Sequence, residues 1–413
     1  MLTPAAHAHR ALAPARARLA ARDAEVLRAQ AALTEIPAPT GEEGERARWI
    51  AERFAALGLR DVRLDAVGNV VARRLGAGDL AEPPVVVCAH LDTVFPRAVP
   101  LRVHHERAAD GAARLVAPGI GDNGRGLAAL LALAEAVDGR RVRTLRPVDF
   151  VATVGEEGLG DLRGAKHYFA GGDAAGARPV AAVVLDGAGD ERVVHQAVGA
   201  RRFRVEFRGP GGHSWAAFGA PNAVHAAARA AARLADLPLP SGRPGGPSRV
   251  TVSVGRIGGG MSVNAIPAEA WLEVDLRATT RDALDVYEQT VRRVVEAAAA
   301  AENEIRAGGT APVAAAVRVI GDRPAGVLGA EHPLVAAAVA ATRLAGRTPR
   351  LGAASTDANV PLGMGVPAVA IGAGGRGGDA HTPGEWYENA DGAAGIGRAL
   401  TLVACAAGVV EAA

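Results

Sequence analysis

Cysteine is nearly absent: Cys88 and Cys405 are the only two among 413 residues. That count excludes a disulfide framework and fits a reducing compartment. Cys88 closes the apolar run Pro84-Val85-Val86-Val87-Cys88 and reads as a small core side chain. Aromatic residues are only 3% of the chain, and the arginines are scattered rather than grouped with them. A formal charge of +2 and a pI of 8.8 therefore give no nucleic-acid surface. No stretch reaches the ~18 apolar residues of a membrane span, and the first residues, though rich in Arg and Ala, hold no apolar signal core. His7 and His9 read as solvated there. The expectation is a soluble cytoplasmic protein with neither nucleic acid nor membrane as a partner. Internal repeats are missing too, and the abundance of alanine looks like genomic bias.

What is present begins with length. A chain of 413 residues exceeds one ordinary core, so two domains are expected. Helical patterning runs from about Asp23 to Leu57, broken at Ile36–Gly41, with Thr40 and Glu43 spaced as a capping box. Strand-like runs at Val62–Leu64 and Val67–Ala72 flank a turn at Asp65. Strands then alternate with helices: Val85–Ala89, Leu127–Ala136, Val148–Val154, Leu162–Ala170 and Ala181–Leu185. Near-continuous apolar strands in that rhythm predict a parallel or mixed sheet with helices on both faces.

From Gly199 the pattern changes. Strand Arg202–Arg208, helix Ala223–Leu234, the Pro/Gly/Ser loop Pro238–Ser248, strands Arg249–Arg256 and Ala270–Ala278, helix Arg281–Glu302 and strand Val313–Ile320 follow in turn. This β-α-β-β-α-β order is the ferredoxin-like split motif. The predicted organisation is an α/β catalytic domain at 1–198 and 323–413, interrupted by a ferredoxin-like α+β domain at 199–322. The first domain resumes with helix Pro333–Ala345, strand Ala368–Gly372 and helix Gly395–Val410.

Five islands end in side chains able to hold a metal. They are Ala89-His90-Leu91-Asp92, Gly121-Asp122-Asn123-Gly124, Gly155-Glu156-Glu157-Gly158, Val184-Leu185-Asp186-Gly187 and Asp379-Ala380-His381-Thr382. His90, Glu156, Glu157 and Asp186 follow directly on predicted strand ends, where open α/β sheets build sites. Two imidazoles with several carboxylates suit a pair of borderline, zinc-like ions. Each island alone also has a plain reading: a hydrogen-bonded strand-end residue for His90 or Asp92, a solvated loop for Glu156-Glu157. An adjacent acidic pair repels when buried unless cations compensate. Asp122, between Gly121 and Gly124, suits a bridging carboxylate.

Two stretches, Gly119–Gly124 and Gly372–Gly377, formally match G-x-G-x-x-G. With 52 glycines chance matches are expected. Asp122 would also set a carboxylate against a pyrophosphate, and neither match lies in a first strand-turn-helix unit. Nucleotide binding is set aside.

Taken together, these motifs resemble the di-zinc metallopeptidase family of aminoacylase, carboxypeptidase G, succinyl-diaminopimelate desuccinylase and tripeptidase T. The resemblance runs from about Ala24 to Val410 in motif order and spacing. Ser355-Thr356-Asp357-Ala358-Asn359, with the Gly-rich run to His381, looks most like the tripeptidase T branch. It implies a zinc-peptidase catalytic domain with the inserted domain as a lid, and two Zn²⁺ ions for which Co²⁺ or Mn²⁺ can substitute. By resemblance, His90 and Asp186 hold one ion, Glu157 and His381 the other, and Asp122 bridges them. Glu156 is then the general base, Asp92 supports His90, and the Asp122-Asn123 peptide is cis.

In the inserted domain, Gly209-Pro210-Gly211-Gly212-His213-Ser214 matches the lid histidine that donates to the reacting carbonyl. Asn264 and Arg277 match residues that contact substrate. On residues alone, His213 could equally cap a turn and Arg277 could be a surface cation. His104, His105, His167, His195, His225 and His332 read as surface or packing residues. The resemblance further implies a homodimer through the lid. Asp at position 186 points to peptides with a free N-terminus, since Glu accompanies deacylases and carboxypeptidases. The expected activity is that of an aminopeptidase or di/tripeptidase on short peptides, with an N-acyl amino acid deacylase or carboxypeptidase of the same family as the alternative. A non-catalytic scaffold would lack a ligand or the base, and neither is missing.

Overall fold

A computed structural model describes residues 4–78, 82–138, 142–172, 178–242, 248–304 and 310–410. The chain divides into two compact units, Met1–Ala197 with Val327–Ala413, and Val198–Gly326.

The first unit is built on a mixed sheet. Its consecutive neighbours are Arg60–Leu64, Val70–Arg74, Val148–Thr153, Val85–His90, Ala181–Leu185, Ala368–Ile371 and Arg192–Ala197. Val85–His90 is parallel to both Val148–Thr153 and Ala181–Leu185, which is parallel in turn to Ala368–Ile371. The first strands and Arg192–Ala197 add antiparallel pairs. Alternation along each strand explains the two covered faces. Val85, Val87 and Ala89 pack with Val148, Phe150 and Ala152 against the helices Gly124–Ala136 and Gly392–Ala407. Val86, Cys88, Val151 and Val184 pack on the other side against Leu162, Ala165, Phe169 and Val360. Both faces are covered, so the central strands Val85–His90, Ala181–Leu185 and Ala368–Ile371 are almost wholly apolar.

The second unit is a four-stranded antiparallel sheet in the order Val250–Gly259, Glu269–Ala278, Gly199–Arg208 and Ala314–Arg323. Phe203, Val205, Phe207, Leu272, Val274 and Leu276 pack with residues of the helices Ala223–Ala235 and Arg281–Asn303. The intervening residues Arg202, Arg204, Trp271, Glu273 and Asp275 form a polar ladder, with Arg204 stacked 3.7 Å from the Trp271 ring centre. Of the Pro238–Ser248 loop, residues 243–247 lie outside the described residues.

Several expectations change. Pro4–Ala11 and Ala13–Ala21 are helices, and Ala5, Ala8 and Leu12 are buried. His9 is half-buried, its Nδ1 3.3 Å from the Thr401 hydroxyl, rather than solvated. The capping box at Thr40 does not form. Thr40 instead donates to the Asp92 carboxylate at 2.8 Å, and Glu43 turns to Arg163. Strand Arg192–Ala197 was not anticipated, nor was a small sheet in the order Arg376–Gly378, Trp386–Glu388, Ala113–Val116, His104–Arg107. The closing helix ends at Ala407, and Val409–Val410 pair with Arg143–Thr144. Among the described residues, no helix is long and apolar enough to cross a membrane.

Phe150 is fully buried in the middle of the large sheet, 6.4 Å from Phe54 between ring centres. Phe150→Ala is expected to lower unfolding stability by about 3–5 kcal/mol, measured by chemical denaturation. A loss under ~1 kcal/mol would contradict this core.

Candidate metal centre

The carboxyl ends of the parallel strands lie level, with His90 opposite Thr153 and Leu185 opposite Ile371. His90, at the end of its strand, and Asp186, just past the end of its own, therefore emerge on the same edge as Glu156 and Glu157. Three overlapping groups have ligand atoms within 4.8 Å of one another: His90 with Asp122 and Asp186, His90 with Glu156 and Glu157, and Asp122 with Glu157 and His381.

The arrangement turns on Asp122. Its Oδ1 lies 2.9 Å from Nε2 of His90 and its Oδ2 lies 3.2 Å from Nε2 of His381. Glu157 Oε1 is a further 3.0 Å from the same His381 nitrogen. His90 Nδ1 faces the main-chain carbonyl of Asp92 at 3.1 Å. A carbonyl only accepts, so Nδ1 carries a proton there, and Nε2 is the ring nitrogen that faces Asp122 and is left for a ligand once its own proton is displaced.

Backbone amides gripped by buried carboxylates hold the loops. The Asp92 carboxylate accepts from the amides of Glu156 and Glu157, each at 2.9 Å, as well as from Thr40. Its support of His90 comes mainly through the Asp92 carbonyl, since its Oδ1 is 3.6 Å from Nδ1. Glu43 takes the amide of Gly155 and the guanidinium of Arg163. Glu385 accepts from the amides of Gly119, Gly121 and Asp122 at 2.9, 2.8 and 2.7 Å. The Asn123 side chain donates to the Leu185 carbonyl and accepts from the Gly187 amide, bracketing Asp186. The Asp122-Asn123 peptide is cis.

The site is strongly polarised. Burial alone would lower His90, but hydrogen bonds to Asp122 and Asp92 carry it well above the ordinary imidazole value. Bonds to Asp122 and Glu157 push His381 up to about 10. Burial works against charge on Asp122, yet both imidazoles hold it well below the usual carboxylate range. Asp92 is likewise drawn down to about 2, against its burial, by His90 and the two loop amides. Asp186 goes the other way, to about 7, through burial and the neighbouring Asp122 charge. Two imidazoles among crowded carboxylates are a donor set that divalent cations of the zinc type would satisfy.

The inserted-unit candidates are placed within their own unit. His213 is exposed, and its Nδ1 accepts from the amide of Trp215 at 3.2 Å, which leaves the proton on Nε2. Asn264 is exposed and accepts from the Ser262 hydroxyl, while its carbonyl accepts from the Ser214 amide at 3.0 Å. Arg277 pairs with Asp275 at 2.7 Å. Sequence reasoning assigned no site role to Glu385 and read Thr40 only as a helix cap and Asn123 only as the partner in a cis peptide. It also assigned no role to Asp357, which accepts from the Thr153 hydroxyl and raises Asp186 by its charge.

The sequence model of peptidase family M20/M25/M40 matches residues 86–404. Aminopeptidase PepT of Bacillus cereus shares the fold with a TM-score of 0.71 and 21% identity, over 92% of this chain and 98% of that one. A tripeptidase of Staphylococcus aureus gives 0.73 and 21% over the same shares. YxeP of Bacillus subtilis, described as a dinuclear metal-binding peptidase, gives 0.66 and 16% over 94% and 99%. A Thermococcus kodakarensis protein, named as a hydrolase of LysW-lysine and LysW-ornithine, is 41% identical over 71 residues. That match spans 17% of this chain and 19% of the relative.

Because both imidazoles hold protons tightly, ions and protons compete for the same Nε2 atoms. Loading the centre at neutral pH is expected to release about two protons, seen by calorimetry in buffers of different protonation enthalpy. Apparent affinity should rise with pH towards the His381 value of about 10 and fall in acid. Uptake without proton release would contradict this.

Proposed function

The chain belongs to peptidase family M20/M25/M40, and from that membership we propose that it hydrolyses amide bonds of short peptides at a two-ion centre built on Asp122. The observation that carries the reading is that the two oxygens of one carboxylate each face a different imidazole. In this reading His90 and Asp186 hold one ion, Glu157 and His381 the other, and Asp122 both. Two Zn²⁺ ions, or Co²⁺ or Mn²⁺ in their place, would supply Lewis acidity and bring the pKa of a shared water towards neutrality.

Glu156 takes the proton of the attacking water and passes it to the leaving amine. Its amide is fixed by Asp92, so the side chain starts from an anchored backbone. His213 carries an Nε2–H suited to a carbonyl oxygen whose charge grows during attack. Asn264 and Arg277 contact substrate in the same scheme, and the second unit serves as lid and homodimer contact. A cytoplasmic setting fits the free thiols Cys88 and Cys405.

The site's charge supports a substrate with a free amino group. Asp92, Asp122, Glu156, Glu157, Asp186 and Asp357 are six carboxyl groups, and two divalent ions offset four negative charges. Arg46, buried beside Asp92, offsets a fifth. The remainder favours an ammonium group, so the proposed activity is that of an aminopeptidase or tripeptidase. The second reading is N-acyl amino acid deacylation. It is favoured by the 71-residue match to the LysW-lysine and LysW-ornithine hydrolase.

Comparing kcat/KM for a tripeptide and its N-acetyl counterpart separates the two: the free peptide is expected to be preferred, and preference for the blocked one would overturn the aminopeptidase reading. Glu156→Gln should keep both ions and lower kcat by roughly 10²–10⁴-fold. Glu157→Gln should instead lose metal, as elemental analysis of the purified variants will show. The reverse pattern would exchange the roles of the two.

A further inference from the structure

Glu385 lies four residues beyond His381, in the connection between the strands Arg376–Gly378 and Trp386–Glu388. The second of these pairs with Ala113–Val116, Trp386 opposite Val116, and that strand runs directly towards Gly119 and Asp122. At this junction the ladder gains one more rung, from the Ala117 amide to the Glu385 carbonyl at 3.0 Å. The Glu385 side chain, 1% exposed, then turns into the Asp122 loop and takes three amide donors, from Gly119, Gly121 and Asp122. Burying a carboxylate is costly: burial and the nearby Asp122 charge raise Glu385 above the ordinary carboxylate value, and the three backbone donors offset part of that cost.

Gly121 is fitted to this contact. A Cβ there would sit 3.0 Å from Glu385 Oε1, closer than an ordinary contact. Gly119, with φ of +74°, lets the chain bend so that the three amides converge. On the other side, the Glu385 amide donates to the Thr382 carbonyl and the Thr382 amide to the Asp379 carbonyl, a run of turns that enfolds His381 at φ +66°.

We infer that Glu385 is a positioning residue that locks the Asp122 loop to the His381 loop and so sets the spacing of the ligands around the Asp122–Glu157–His381 ion. It touches neither ion nor substrate in this scheme. The proposal rests on the two-ion reading above and adds a claim about which ion depends on it. The His90–Asp186 side has its own anchors in the Asp92 carbonyl and the Asn123 amide, so it is the less affected of the two.

The test is zinc titration of the apo-enzyme by calorimetry, with circular dichroism to follow folding. Glu385→Gln keeps the shape but places an NH₂ donor against backbone amides. It is expected to weaken the ion at Glu157 and His381 by about 10–100-fold, the usual cost of removing a group that orients a ligand, and the ion at His90 and Asp186 by less. At limiting zinc its kcat should fall with little change in KM, and excess zinc should restore it, which a general loss of structure would not allow. Glu385→Asp, with the charge kept and the reach shortened by a methylene, should fall between and is read in the same way if the Gln variant does not fold. Two ions bound at wild-type affinity by both variants would overturn the assignment of Glu385 alone. Wild-type protein that takes up a single ion would overturn the two-ion reading and this inference with it.

Discussion

One carboxylate shared between two imidazoles is the constraint on which the rest of the site depends. For Asp122 to present Oδ1 to His90 and Oδ2 to His381, three segments far apart in sequence must meet within hydrogen-bonding distance. The large sheet solves half of that problem by ending its parallel strands at one level, which fixes His90 and Asp186 to a rigid edge. The small sheet solves the other half. Its strands Ala113–Val116 and Trp386–Glu388 lie side by side, so the loops of Asp122 and His381 start from adjacent points.

The loops themselves are not regular structure, and each needs its own restraint. The same device recurs: a buried carboxylate from one segment takes backbone amides of another. Asp92 grips Glu156 and Glu157, Glu43 grips Gly155, and Glu385 grips the turn into Asp122. Such bonds leave ligand side chains free, because only main-chain atoms are used. They also add negative charge around the centre, which divalent cations would offset. Arg46 balances part of it from beneath, donating to the carbonyls of Thr34, Ile36 and Leu91 while lying near Asp92.

Much of this was legible in the sequence, for physical reasons. Strands such as Val85–His90 are apolar on both faces, so their ends are sharp and the polar residues that follow are conspicuous. The β-α-β-β-α-β order of the second unit follows from local periodicity, and its sheet and helices pack as that order implies. What could not be read depends on partners distant in the chain. Glu385 bonds to amides more than 260 positions away, and nothing in Pro383-Gly384-Glu385 separates it from a solvated turn. Thr40 and Glu43 have the spacing of a helix cap, yet Asp92 and Arg163 compete for them more strongly. The strands of the small sheet are three or four residues long, too short for alternation to be distinguished from loop. His9 looked solvated because its partner, Thr401, lies at the far end of the chain.

The central claim is that Asp122 is shared by two ions. Anomalous diffraction at the zinc edge, from crystals grown with zinc, tests it most directly. The account predicts two peaks about 3.5–4 Å apart, one on each side of the Asp122 carboxylate, with His90 and Asp186 at one and Glu157 and His381 at the other. A single peak, or two peaks that do not share Asp122, would contradict it.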